Sequence, residues 1–187
     1  RDTDRSRGLG DVYKRQVLTP YGIYGVMGNH DYSYCYTKVA EAMEKNNVHL
    51  MEHKSYKLMK DGQHIIISGV RNPFDLKKNG DSPSQHFPAD DFILLLTHTP
   101  DYAEDTDVSN ANLVLAGHTH GGQVSLFKKY SPVKHSIYGN RFLTGRKENS
   151  AGVPIIITNG LGTSRMNVRL FTPSEVVLVV LHRVEKK

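Results

Sequence analysis

Four short apolar runs, each closed at once by small and polar residues, constrain this chain more than any other feature. Gly25-Val26-Met27-Gly28 leads into Asn29, His30 and Asp31. Leu94-Leu95-Leu96-Thr97 leads into His98. Val114-Leu115-Ala116-Gly117 leads into His118, Thr119 and His120, and Ile155-Ile156-Ile157-Thr158 into Asn159 and Gly160. Apolar runs this short, bounded by turn residues, read as strands. Their alternation is weak, which predicts strands covered on both faces. In open sheets of α/β proteins ligands gather at the carboxyl ends of the strands. If the first three runs are neighbours pointing the same way, their ends form one imidazole-rich pocket.

The remaining punctuation is regular. "YGIYGVM" (21–27) predicts a buried strand. "TKVAEAMEKNN" (37–47) carries Val39, Ala40 and Met43 at helical spacing and ends in Asn, so it predicts a helix. "VHL", "SYKLMK" and "HIIISGV" are strand candidates, with "KDGQ" between the last two as a hairpin signal. "NPFDLKKNGDSPSQ" predicts a loop, and "SEVVLVVLHRV" a final strand. Few helices among many strands predict a sheet-centred α/β or α+β architecture. The 187 residues suit one domain, and no apolar window approaches the roughly 20 residues of a membrane-spanning helix. A single cysteine, Cys35, excludes an internal disulfide framework and a thiolate metal site. The net charge of +5 suits a phosphorylated substrate, nucleic acid or anionic lipid, and equally a surplus of surface lysine.

Residues 1–16, "RDTDRSRGLGDVYKRQ", carry five positive and three negative charges and no apolar core of a signal peptide. "DVYKRQ" resembles the conceptual translation of a transposon adaptor used in sequencing libraries. The expectation is a non-native scar over 1–16, with a natural charged tail as the alternative. Residues 17–187 then form the C-terminal part of a single domain, and no targeting segment shows the compartment.

The H-x-H of "LAGHTHGGQ" has its own geometric content. In an extended segment, residues i and i+2 project to the same side, roughly 6.5–7 Å apart. On a helix they diverge by about 200°. Hydrolytic metal pairs sit about 3.5–4 Å apart. His118 and His120, leaning inward from an extended end, can each take a different ion, and Gly117, Gly121 and Gly122 permit the tight path. Taken singly, a histidine ending a strand is more often an ordinary surface or core residue, and "GNHD" is also a turn sequence. The coincidence of three such strand ends is what argues for a site. "NGLGTSRMNVR" is read first as a solvated turn, with Arg165 and Arg169 as candidate phosphate contacts. His49, His53, His64, His86, His135 and His182 share no common geometry and are expected at the surface. Tyrosines without basic interleaving do not predict a nucleic-acid platform.

In this order, "GNHD", "THTPD" and "LAGHTHGGQ" resemble the calcineurin-like metallophosphoesterase superfamily, and with the late "GLGTS" its bacterial phosphodiesterase branch. The resemblance runs from Val17 to the C-terminus. It implies a four-layer α-β-β-α sandwich, incomplete here at its N-terminus. It also implies a binuclear centre of divalent ions: Mn, Zn, Fe, Mg or mixtures. On the same resemblance Asn29, His98 and His118 are ligands of the second metal and His120 of the first. His30 meets the phosphoryl oxygen or leaving group, and Asp31 orients it.

Two earlier motifs of that family, D-x-H and G-D-x-x-D, have no match. Gly10-Asp11 is followed by Lys14 and Gly80-Asp81 by Ser84 where an Asp is needed. The expectation is therefore a phosphodiesterase whose parent is active and whose 187-residue form is inactive or nearly so, with unpaired apolar strand edges. The alternatives are a lipid-linked or nucleotide-sugar diphosphate hydrolase at the cell envelope, a nuclease of the same superfamily, or a non-catalytic scaffold. The expected partner is a small-molecule or lipid-linked phosphoester. Nucleic acid is not favoured, and peripheral membrane association would have to come through a missing N-terminus.

Overall fold

The computed structural model describes residues 19–127, 130–133, 135–164 and 166–182. The expected scar at 1–16 and the start of the domain at Val17 lie outside the described residues. A two-stranded parallel sheet pairs β1 (Ile23–Gly25) with β2 (Val48–Leu50). The helix α1 (Tyr36–Lys45) joins them after a π-helical turn, Asp31–Cys35. That helix and its end at Asn46 and Asn47 follow the sequence pattern, and the Met43 methyl reaches the space where a Cβ on Gly25 would stand.

A second sheet holds six strands: β3 (Lys54–Lys60), β4 (Gln63–Gly69), β5 (Ile93–Leu96), β6 (Leu113–Ala116), β7 (Gly145–Glu148) and β8 (Pro154–Ile157). Their order is β3-β4-β5-β6-β8-β7. The "KDGQ" hairpin forms as expected, with Lys60 opposite Gln63. Asp61 (φ 50°) and Gly62 (φ 74°) both take the left-handed backbone that a two-residue hairpin loop favours. β4, β5, β6 and β8 run parallel, and β7 closes one edge antiparallel to β8. β7 has the sequence GRKE and carries no apolar signal, because a charged edge strand needs only one neighbour. The result is the mixed α/β architecture, with a central mixed sheet and few helices, that the sequence implied.

Four expectations change on contact with the structure. β1 belongs to the small sheet, not to the sheet holding the other three apolar runs. Burial in β5 and β8 alternates: Ile93, Leu95, Ile155 and Ile157 are buried, while Leu94, Leu96 and Ile156 are half-buried. One face carries the main core with Tyr102, Val114 and Phe142. The other faces a cavity of about 300 Å³ between Leu115, Ile156 and the segment Glu175–Val179. The expected loop 72–85 contains two short helical turns, Leu76–Asn79 and Pro83–His86. The expected final strand forms no strand over residues 172–182, where Val176 is 82% and Leu178 87% exposed. A strand needs a neighbour for its backbone hydrogen bonds, and apolar composition alone supplies none. Among the described residues no helix is long and apolar enough to cross a membrane.

The two sheets meet where the apolar runs end. A Cβ on Gly69, the last residue of β4, would stand 2.1 Å from Met51 Cβ and 3.2 Å from Val26 Cγ1. The ladder continues past the strands, with Gly117 N donating to His98 O (3.0 Å) and Thr158 N to Ala116 O (2.9 Å). The ends of β5, β6 and β8 are therefore level, which sets their following residues side by side.

Candidate metal centre

His98 and His118 leave adjacent parallel strands and meet. His118 Nδ1 lies 3.1 Å from His98 Nε2, and His98 Nε2 lies 3.1 Å from Asn29 Oδ1. Asn29 arrives from the small sheet, and Gly28 makes this approach possible. A Cβ on Gly28 would stand 2.7 Å from His98 Cε1. His30, Asp31 and His120 line the same pocket of about 370 Å³. His30 is exposed, and its charge is felt by His98, His118 and His120. Asp31 accepts from Gly28 N at 2.8 Å, which closes the loop that presents Asn29 and His30. The following turn is pinned by Tyr32, whose hydroxyl donates to Glu52 Oε1 (2.7 Å) and accepts from Asn72 N (2.7 Å). A π-helical turn beside a site of this kind is a recurrent feature of functional helices.

The H-x-H segment is not extended, as its spacing had suggested. His118 (φ 67°) and His120 (φ 51°) are left-handed and Thr119 (φ −71°) is right-handed between them. The two imidazoles still share a pocket, because Thr119 turns inward. It is buried, and its Oγ1 donates to Leu143 O at 2.8 Å. Non-glycine residues in this region cost on the order of 1 kcal/mol or more each, and they persist where surrounding contacts over-determine them. The glycines that follow are required by space. A Cβ on Gly122 (φ 76°) would stand 2.1 Å from Ser131 Oγ.

The electrostatics keep the imidazoles neutral. Burial first, then neighbouring imidazoles, hold the His98 pKa down to about 3 and that of His118 to about 4. Burial likewise lowers that of His120. Neutral imidazoles keep a lone pair for a metal. Donor atoms sharing one ion at about 2.1 Å lie roughly 3.0–3.4 Å apart, and His98 Nε2 has that spacing to both Asn29 Oδ1 and His118 Nδ1. Among the described residues no trio of His, Cys, Asp or Glu gathers as a ligand group, so the compact set is two imidazoles and an amide.

His135, expected at the surface, is half-buried and lines the pocket, its ring 6.1 Å from that of His118 and 6.2 Å from that of His120. It follows no strand, so nothing local marked it. Two others expected at the surface are also part-buried: His53 accepts from Arg71 N, and His64 pairs with Asp91 at 2.8 Å. Phe74, from the 72–85 segment, sets its ring 5.3 Å from that of His118 and 6.0 Å from that of His98. Arg165 lies outside the described residues. Arg169 is half-buried, and its guanidinium faces backbone carbonyls of the 159–172 segment.

The profile of the calcineurin-like phosphoesterases matches residues 3–122. The chain belongs to that family. It is similar to the uncharacterized metallophosphoesterase YkuE of Bacillus subtilis, with 27% identity over 89% of this chain and 58% of that protein. It is also similar to the uncharacterized metallophosphoesterase YkoQ of the same organism (26% identity, 92% of this chain and 67% of that protein). An uncharacterized metallophosphoesterase of Aquifex aeolicus shows 26% identity over 90% of this chain and 66% of its own length. The chain thus spans about three-fifths to two-thirds of these curated relatives. No solved structure matches it. Calcineurin-like phosphoesterases use divalent metal ions. Asn29, His98, His118 and His120 fall inside the matched span and line one pocket.

Proposed function

We propose that this metallophosphoesterase hydrolyses phosphodiesters at a binuclear centre of which Asn29, His98 and His118 hold one divalent ion and His120 serves the other. The observation that carries the reading is that His98 Nε2 lies 3.1 Å from both Asn29 Oδ1 and His118 Nδ1, three donors from three different chain segments. Imidazole nitrogen and amide oxygen suit Mn, Zn or Fe, with Mg as the harder alternative. Two such ions, when bound, lower the pKa of a water and neutralise the phosphoryl oxygens. His30, exposed at the pocket mouth, meets the leaving-group oxygen and gives it a proton. Asp31 holds the loop that carries His30 through its bond to Gly28 N. Arg165, next in sequence to the pocket residue Ser164, is the candidate contact for a substrate phosphate oxygen by residue type alone. The substrate is a small-molecule or lipid-linked diester.

The chain has no D-x-H or G-D-x-x-D, so the first ion retains little besides His120 and turnover by the 187-residue chain is slow or nil. Titrating the chain with Mn²⁺ in a calorimeter, beside bis(p-nitrophenyl) phosphate hydrolysis, tests both statements. Saturable binding that His118→Ala abolishes is expected, with little turnover. Absence of Mn²⁺ binding at millimolar concentration overturns the metal assignment, and robust hydrolysis overturns the inactivity.

A further inference from the structure

Four backbone carbonyls converge on one guanidinium beside the pocket. Arg169 donates through Nη1 to Thr172 O (3.2 Å) and through Nη2 to Asn159 O (2.8 Å), Gly160 O (3.2 Å) and Gly162 O. Gly162 O also faces His120 Nδ1 at 3.1 Å. A carbonyl oxygen has two lone pairs and nothing to donate. Gly162 can therefore accept from both partners, and the bond to His120 exists only if Nδ1 carries the hydrogen. In a neutral imidazole the other nitrogen, Nε2, is then the one with the free lone pair.

We propose that Arg169 is a positioning residue: by holding Gly162 O over His120 Nδ1 it fixes His120 as the Nδ1–H tautomer and leaves Nε2 for the pocket. The consequence for metal binding rests on His120 being a ligand, as proposed above. A ligating histidine that gives its second ring N–H to a backbone carbonyl is oriented and made more basic by that bond. Among the described residues of the 159–172 segment no helix or strand would otherwise set Gly162. Direct substrate contact by Arg169 fits less well, because both terminal nitrogens are spent on carbonyls and Nε is buried.

The segment has a second anchor that does not pass through Arg169. Gln123, buried, accepts from Ser164 N and donates to Met166 O (3.1 Å) and Val168 O (3.3 Å). Loss of the guanidinium should therefore free Gly162 without releasing the whole loop. That separates a positioning role from a general structural one.

The test is long-range ¹H–¹⁵N correlation of the imidazoles in the metal-free 187-residue chain at about pH 8, where the rings are neutral. Wild-type His120 should show a protonated Nδ1 and a bare Nε2. In Arg169→Ala the His120 signals should move toward the Nε2–H tautomer, with those of His98 and His118 unchanged, and Arg169→Lys should restore part of the effect. Zn²⁺ alone, titrated into the same samples, should perturb the His120 signals only at about 10–100-fold higher concentration in Arg169→Ala, with the response of His98 and His118 as in the wild type. An Nε2–H tautomer in the wild type overturns the proposal, as does a folded Arg169→Ala with His120 unchanged. If Arg169→Ala does not fold, Arg169→Lys and Arg169→Gln are read by the same criteria, and failure of all three to fold makes Arg169 a core residue and overturns the proposal. A tautomer shift without Zn²⁺ binding in any sample upholds the Arg169 assignment and removes the metal reading instead.

Discussion

His118 and His120 stand one residue apart, yet the molecule holds them by different means. His118 follows a strand in the middle of the six-stranded sheet and meets His98, which follows the adjacent parallel strand. Its position is set by level strand ends and a close-packed core. His120 follows a left-handed turn and leans on Gly162, in a segment held by the Arg169 and Gln123 side chains and by a backbone bridge at Leu170. The sheet builds one half of the candidate centre and a loop builds the other. The first half should be stiff and costly to perturb, the second adjustable and sensitive to single hydrogen bonds.

Acid should probe the sheet-built half most severely. An imidazole held below its ordinary value takes up its proton in the unfolded chain before the folded one. Stability of the metal-free chain is therefore full above pH 6.5 and falls as the pH drops toward about 4 and then 3, the folded values of His118 and His98. Denaturant melts at a series of pH values check this, and a flat profile through that window would show that these imidazoles are not buried as neutral groups. Next in size is Gly28→Ala, whose Cβ would stand 2.7 Å from His98 Cε1. Displacing that ring should weaken Mn²⁺ binding by about 10–100-fold and cost about 1–3 kcal/mol of stability, read by calorimetry and thermal melting.

Gln123→Ala addresses the loop-built half. It should cost about 1–3 kcal/mol and speed amide exchange at Ser164, while the His98 and His118 ring signals stay in place. Coupled movement of those signals would show that the two halves are one unit. The smallest effect is expected at Leu178, 87% exposed. Leu178→Ser should change stability by no more than about 0.5 kcal/mol, and a larger loss would mean that the Leu178 side chain is packed rather than exposed.

Elements that answer to local pattern were legible in the sequence. The β3–β4 hairpin follows from Asp61-Gly62, α1 from Val39, Ala40 and Met43 at helical spacing, and β5, β6 and β8 from their apolar runs. Elements defined by neighbours were not. β7 is polar because it lies at an edge. The 172–182 segment looks like a strand, yet among the described residues it joins no ladder beyond the single backbone bond from Glu175 N to Gly160 O. His135 reaches the pocket without any signal in "PVKHSIYG". The left-handed backbone at His118 and His120 was equally hidden, since spacing alone favoured an extended path.

Sequence by itself determined which residues would end the strands, that imidazoles would stand there, and that the chain resembles the phosphoesterases to which it belongs. Those are properties of residue type and order, which short-range sterics and hydrophobic burial convert directly into strands and turns. Tertiary structure alone decided that Asn29 comes from a different sheet than His98 and His118, and that Gly162 and Arg169 stand behind His120. Such contacts join residues distant along the chain, and they exist only once a close-packed core has made the strand ends level and left a single way for the loops to pack.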